Sequence, residues 1–115
     1  MKISVIGFND SAKEAIDRFD STYSLVSICD PDLNGMVYAQ YTFPGLEYYA
    51  DPSEAIRSKC DAVMLTVSDN APQLALMAIA YKKRVMLARG VDLGEYNNRI
   101  VAIAKWSKVE MEFDV

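Results

Sequence analysis

Three positions near the N-terminus carry the first chemical signal. Gly7 ends a run of apolar residues, Asn9 lies two positions on, and Ala12 three beyond that. This is the spacing of the G-x-G-x-x-G turn, where a strand passes through glycine into a helix whose N-terminus can hold a pyrophosphate. Only the first glycine is kept. Alanine is tolerated at the third position. Asn9 stands where backbone must approach the phosphates closely, although asparagine tolerates the left-handed conformation such a turn can demand. Asp10 adds a carboxylate at the same helix end, where it competes with a phosphate.

Asp30 is the second signal. It lies 23 residues after Gly7, at the end of the next apolar run. A carboxylate there can hydrogen-bond the ribose hydroxyls of an adenosine and repel a 2′-phosphate. A turn aspartate before Pro31 is the plainer alternative. Asp10, Asp30, Asp69 and Asp92 all fall at the ends of apolar runs, so an acidic rim is expected, opposed by Arg89 alone. Helix capping by surface aspartates accounts for that rim without any ligand.

Other chemistry is excluded by composition. The chain has no histidine, which removes serine–histidine and cysteine–histidine nucleophile pairs and histidine-bound zinc. Cys29 and Cys60 form no C-x-x-C pair and read as reduced, buried thiols. No catalytic residue and no metal-ligand set is expected. The net charge is −4, with 16 acidic and 12 basic residues. Lys82-Lys83-Arg84 is the only basic cluster, so a nucleic-acid partner is not expected. The apolar start at residues 3–8 is too short for a signal peptide, and no run approaches a membrane span, which points to a cytoplasmic protein.

The elements that must position these residues follow from periodicity. Residues 2–8, 24–30, 61–67 and 84–88 are nearly continuous apolar runs, as expected of parallel strands covered on both faces. Ser11 and Glu14 suggest a capping box. Pro31 and Gly35 punctuate a loop, and 36–49 reads as a short helical turn, a Pro44-Gly45 turn and a short strand. Asp51 and Pro52 begin another helix. Pro72 opens the next, with Leu74, Met77, Ala78 and Tyr81 as its buried stripe. Asp92 and Glu95 cap the last helix, whose apolar side takes in Tyr96, Ile100, Ile103 and Trp106. Residues 109–115 alternate strictly, as in a half-exposed edge strand. The aromatics Tyr38, Tyr41, Phe43, Tyr48 and Tyr49 serve packing, a base-binding wall or an oligomer contact. At 115 residues this is a single domain, 1–115. Its expected class is α/β, a doubly wound parallel Rossmann-type sheet of strand order 3-2-1-4-5-6 in three α/β/α layers.

With these residues in place the chain resembles the N-terminal NAD(P)-binding domain of the Gfo/Idh/MocA (glucose–fructose oxidoreductase / inositol dehydrogenase) family. "KISVIGF", "LVSICDPD", "DAVMLTVSDNAPQLALMAIAYKKRVMLARG" and "VEMEFDV" carry the resemblance, which spans essentially the whole chain. Ala88-Arg89-Gly90 stands in place of the family's Glu-Lys-Pro, and arginine cannot act as an acid or base near neutral pH. The resemblance implies cofactor contacts from Gly7, Phe8, Asn9, Ser11 and Ala12 on the first turn, and from Asp30 after the second strand. It implies others from Val67, Ser68 and Asn70 after the fourth strand, and from Arg89 after the fifth. NAD is expected in preference to NADP because of Asp30, with a fold that binds no cofactor as the equal alternative. The family's substrate domain has no counterpart in 1–115, so the chain is expected to be a stand-alone, degenerate binding module that does not catalyse alone. The competing expectation is a ligand-free interaction or dimerisation module. Partners expected are a second copy or a separate substrate-domain subunit.

Overall fold

The computed structural model describes residues 1–115. Six parallel strands form one sheet: β1 (Lys2–Ile6), β2 (Ser24–Cys29), β3 (Glu47–Tyr49), β4 (Ala62–Leu65), β5 (Arg84–Leu87) and β6 (Met111–Glu112). Their order is β3-β2-β1-β4-β5-β6, as the sequence predicts. Five helices connect them: α1 (Asp10–Asp17), α2 (Leu33–Thr42), α3 (Pro52–Arg57), α4 (Ala71–Ala80) and α5 (Asn97–Trp106), the last preceded by a 3-10 turn at Gly94–Tyr96.

Right-handed crossovers decide which face each helix covers. The chain steps one way from β1 to β3, placing α1 and α2 on one face. It then steps the other way from β3 to β6, placing α3, α4 and α5 on the opposite face. Each face holds its own core. Ile3, Val5, Ile28, Met64 and Met86 lie under α1 and α2, while Val63, Leu65, Val85 and Leu87 lie under α3 to α5. These side chains are almost completely buried, each contributing about 1.5–3 kcal/mol. The buried hydroxyls of Ser4 and Ser27 share a hydrogen bond of 2.6 Å across β1 and β2, whereas Arg84 Nε is buried without a partner. Both cysteines are free and buried in the α3–α5 core. Burial pushes the Cys29 thiol up to about 12, with Asp30, Asp51 and Glu54 adding to the rise.

Several local expectations are corrected. The cap of α1 is Asn9, not Ser11: Asn9 is extended (φ −146°), and its Oδ1 accepts the Ala12 N–H at 2.8 Å. Ser11 already lies inside the helix. Residues 33–42 form a ten-residue helix rather than a short turn, because Asp32 caps it by accepting the Asn34 N–H. Gly35 is therefore inside α2, not in a loop. Along α4 the buried residues are Ala71, Ala75, Ala78 and Ile79, since small side chains let the helix approach the sheet; Leu74 and Met77 are half-buried and Tyr81 is exposed. Asp92 Oδ1 accepts the Gly94 N–H at 2.7 Å just ahead of the 3-10 turn, and neither that turn nor α5 has a side-chain cap from Asp92 or Glu95. On α5, Ile100 and Ala104 are buried, while Tyr96, Ile103 and Trp106 are exposed, Trp106 to 90%. The alternation at 109–115 breaks at Asp114, whose φ of +55° turns the chain, so Val115 packs on the α1–α2 core and Phe113 faces out. Asp51 and Pro52 begin α3 as predicted.

Candidate functional site

The direction of winding reverses between β1 and β4, and the crevice at their C-terminal ends is where ligands of such sheets bind. A cavity of about 470 Å³ lies there. Its floor is the first turn, Ile6 to Asn9. Its apolar walls come from Pro31, Pro52, Val67 and Leu74, and its polar groups from Asp30, Asp32, Asp69 and Asn70. That volume lies within the range of small-molecule and cofactor pockets, about 300–1,000 Å³.

Gly7 is obligatory where it stands. Its φ is +89°, and a Cβ there would come within 2.5 Å of Thr66 Oγ1. Thr66 is buried and donates its hydroxyl to the carbonyls of Ile6 and Gly7, at 2.9 and 2.6 Å. It locks the glycine turn to the end of β4. The left-handed conformation belongs to Gly7, so Asn9 does not have to adopt it.

Asp30 lines the cavity directly beside this turn. Its Oδ2 accepts the Phe8 N–H and its Oδ1 the Asp32 N–H, both at 2.9 Å. An ionised carboxylate offers about four lone-pair positions, so these two bonds do not exhaust its acceptor capacity. Gly35 of α2 packs directly on it: a Cβ at position 35 would fall 2.0 Å from Asp30 Oδ2. Asp30 is thus aimed by the first turn, the β2 exit and α2 together.

The helix end beside the turn is partly closed. The Ala12 N–H is taken by Asn9 Oδ1 and the Lys13 N–H by the Asn9 carbonyl. The Asp10 and Ser11 amides are the first-turn donors left for an outside acceptor. The Asp10 carboxylate accepts a hydrogen bond of 3.3 Å from Tyr38.

Of the residues predicted to contact a cofactor, Gly7, Phe8, Asn9, Asp30, Val67 and Asn70 line the cavity. The Phe8 ring is buried against Tyr38 and Phe43, with centroids at 4.9 and 5.9 Å. Asn70 has φ +59° and makes no capping bond, which leaves its amide for a ligand. Four predicted residues lie outside the lining. Ala12 is buried, Ser11 and Arg89 are exposed, and Ser68 Oγ accepts the Asp92 N–H at 3.1 Å, tying two loops together. The acidic rim is also redrawn: Asp30 and Asp69 line the cavity and Asp10 and Asp92 do not, while Asp32 joins them. Thr66, Asp32 and Gly35 were not singled out as site residues in the sequence. The lone threonine in the apolar run 61–67 was the available signal for Thr66. No three Cys, Asp or Glu side chains converge as a metal site, and no helix is long and apolar enough to cross a membrane.

The sequence matches no protein-family model and no curated protein. Its structure matches solved dehydrogenases and reductases. A probable dehydrogenase from Thermotoga maritima is 20% identical, with a TM-score of 0.81 over 99% of this chain and 36% of its own. Biliverdin reductase from Synechocystis, solved with biliverdin and NADP+, is 18% identical, with a TM-score of 0.86 over 97% of this chain and 37% of its own. The WlbA dehydrogenase from Bordetella pertussis, solved with NADH and UDP-GlcNAcA, is 20% identical, with a TM-score of 0.81 over 97% and 36%. The chain spans about a third of the length of these proteins. They are of the Gfo/Idh/MocA type, and what the likeness establishes is a shared fold: this chain has the Rossmann-type architecture found in those dehydrogenases.

Proposed function

We propose that the chain is a nucleotide-binding module that takes a nicotinamide dinucleotide, NAD(H) in preference to NADP(H), with its adenosine half in the cavity beside Gly7. The observation that carries this reading is Asp30, held at the exit of β2 by the Phe8 amide and packed under Gly35, beside the crevice where the winding reverses. The residues fit an adenosine. Asp30 would accept from the ribose hydroxyls, the proline, valine and leucine walls would enclose the base, and Asp69 or Asn70 would meet its polar edge. The NADP+ and NADH bound by two structures of the same fold support the cofactor class. Asp30 and Asp32 together oppose a 2′-phosphate, which favours NAD.

When bound, the nicotinamide supplies hydride transfer. A substrate must then be held in register with it, and the cavity residues contain no group arranged to do so. We infer that catalysis requires a substrate-binding part beyond residues 1–115, on a longer chain or a separate subunit.

Calorimetric titration with NADH and NADPH tests the reading. NADH is expected to bind, and NADPH at least about tenfold more weakly. Asp30→Asn is expected to weaken NADH by a similar factor, the size of one charge-assisted hydrogen bond of about 1.5–3 kcal/mol. Absence of NADH binding at millimolar concentration, with the fold intact by circular dichroism, would sink it.

A further inference from the structure

Helix α4 lies in an outer layer of the molecule yet carries no charged residue, and its exposed positions are Gln73, Leu76 and Ala80. A helix that is apolar all round is ordinarily covered on both sides. Its neighbour α5 is apolar on two sides as well. Ile100 and Ala104 are buried inward, while Tyr96, Ile103 and Trp106 are exposed. Between the two helices runs a groove of about 290 Å³, walled by Leu76, Tyr96, Ile100 and Ile103, with the exposed Arg99 at its edge. It shares no residue with the cavity beside Gly7. Trp106 is the only tryptophan and the most exposed of the large apolar side chains, and it stands at the far end of α5.

We propose that a second copy of this chain covers this face, with α5 packed antiparallel on its counterpart and Trp106 of each copy filling the groove of the other. The placement of knob and groove is what a twofold axis demands. Both lie along α5, about one turn to either side of Ala102, an exposed small residue at which two helix axes can approach closely. One antiparallel crossing therefore seats both tryptophans at once. The charges agree with it. Asp92 and Glu95 precede α5, Lys105 and Lys108 flank its end, and none of the four forms an ion pair within the chain. Antiparallel packing sets the acidic end of one copy beside the basic end of the other and aligns the two helix dipoles favourably. Arg99 also has no ion-pair partner, and the incoming indole offers it a cation–π contact. Because α5 has only ten residues, the contact is smaller than the about 800 Å² per partner of a standard interface, and the dimer is reversible at micromolar concentration.

Sedimentation equilibrium of the chain from micromolar to millimolar concentration is the test, with Trp106 emission as a second readout. A monomer–dimer equilibrium is expected, and the emission should move to shorter wavelength as the dimer forms and the indole leaves water. Trp106→Ala removes the knob, and Leu76→Arg puts a charge into the groove beside Arg99. Each is expected to weaken self-association at least about tenfold. Both positions are exposed, so circular dichroism should show the fold unchanged. Mixing the two variants restores one intact knob in one intact groove. An equimolar mixture is therefore expected to associate more tightly than either variant alone.

A chain that stays monomeric at millimolar concentration, with the emission of a water-exposed indole throughout, would overturn the proposal. So would a dimer that neither substitution weakens, since another surface must then form it. A mixture no tighter than its two components would also overturn it, because the reciprocal seating is what the mixture restores. None of these outcomes depends on NADH, so they leave the cofactor reading to its own titration.

Discussion

Asp30 and Gly35 act as one unit. Gly35 is inside a helix, where alanine is ordinarily favoured by about 1 kcal/mol. The close approach reverses that preference, because a methyl group at position 35 would displace the Asp30 carboxylate from the Phe8 and Asp32 amides. Gly35→Ala is expected to lower stability in urea unfolding, against helix propensity, and to weaken NADH binding with it. A stabilised variant with full binding would refute the packing. This also shows what could be read beforehand. Gly7 and Asp30 were legible from spacing alone, because the turn and the strand end recur at fixed separations. Gly35 looked like a loop glycine, since nothing in a linear sequence says that a carboxylate lies on top of it. Asn9 was legible as damage to the fingerprint, but not as a cap. Ser11 and Glu14 offered a competing box two residues later, and only geometry chose between them.

At the scale of elements, the strands were the most legible part. Four fully apolar runs of strand length, separated by helical spacing, leave few alternatives to a parallel sheet. Helix faces were less legible. α4 carries no charged residue, so hydrophobicity could not tell its inner side from its outer. The expected stripe of Leu74, Met77, Ala78 and Tyr81 favours large side chains, yet Ala71 and Ala75 join Ala78 against the sheet because packing distance, not side-chain size, sets the choice there. Ala75→Leu is therefore expected to cost about 1–3 kcal/mol by overpacking. Leu76→Ala, one residue away at a position 39% exposed, should stay within about 0.5 kcal/mol. Chemical unfolding of the two variants checks the assignment, and the opposite ranking would refute the inward placement of Ala75. α2 is longer than the short helical turn expected within 36–49. Asp32, the residue that starts it, was hidden among the turn residues around Pro31.

For the whole molecule, the buried thiol links folding to alkaline pH. Cys29 titrates near 12 in the folded chain against 9.0 when solvated. Between those values only the unfolded chain loses the proton, so stability is complete below pH 9 and declines as pH rises toward 12. Thermal unfolding across that window should show a fall in Tm that Cys29→Ala reduces. An equal slope in both proteins would mean that other groups carry it.

The winding that divides the molecule into two cores has one more result. Cys29 and Cys60 both lie in the core under α3, α4 and α5, and the core under α1 and α2 contains no sulfhydryl. A thiol-specific reagent thus samples the opening of one side of the sheet only. Amide exchange samples both. Where the two clocks disagree, the difference measures how independently the two halves of the molecule come apart.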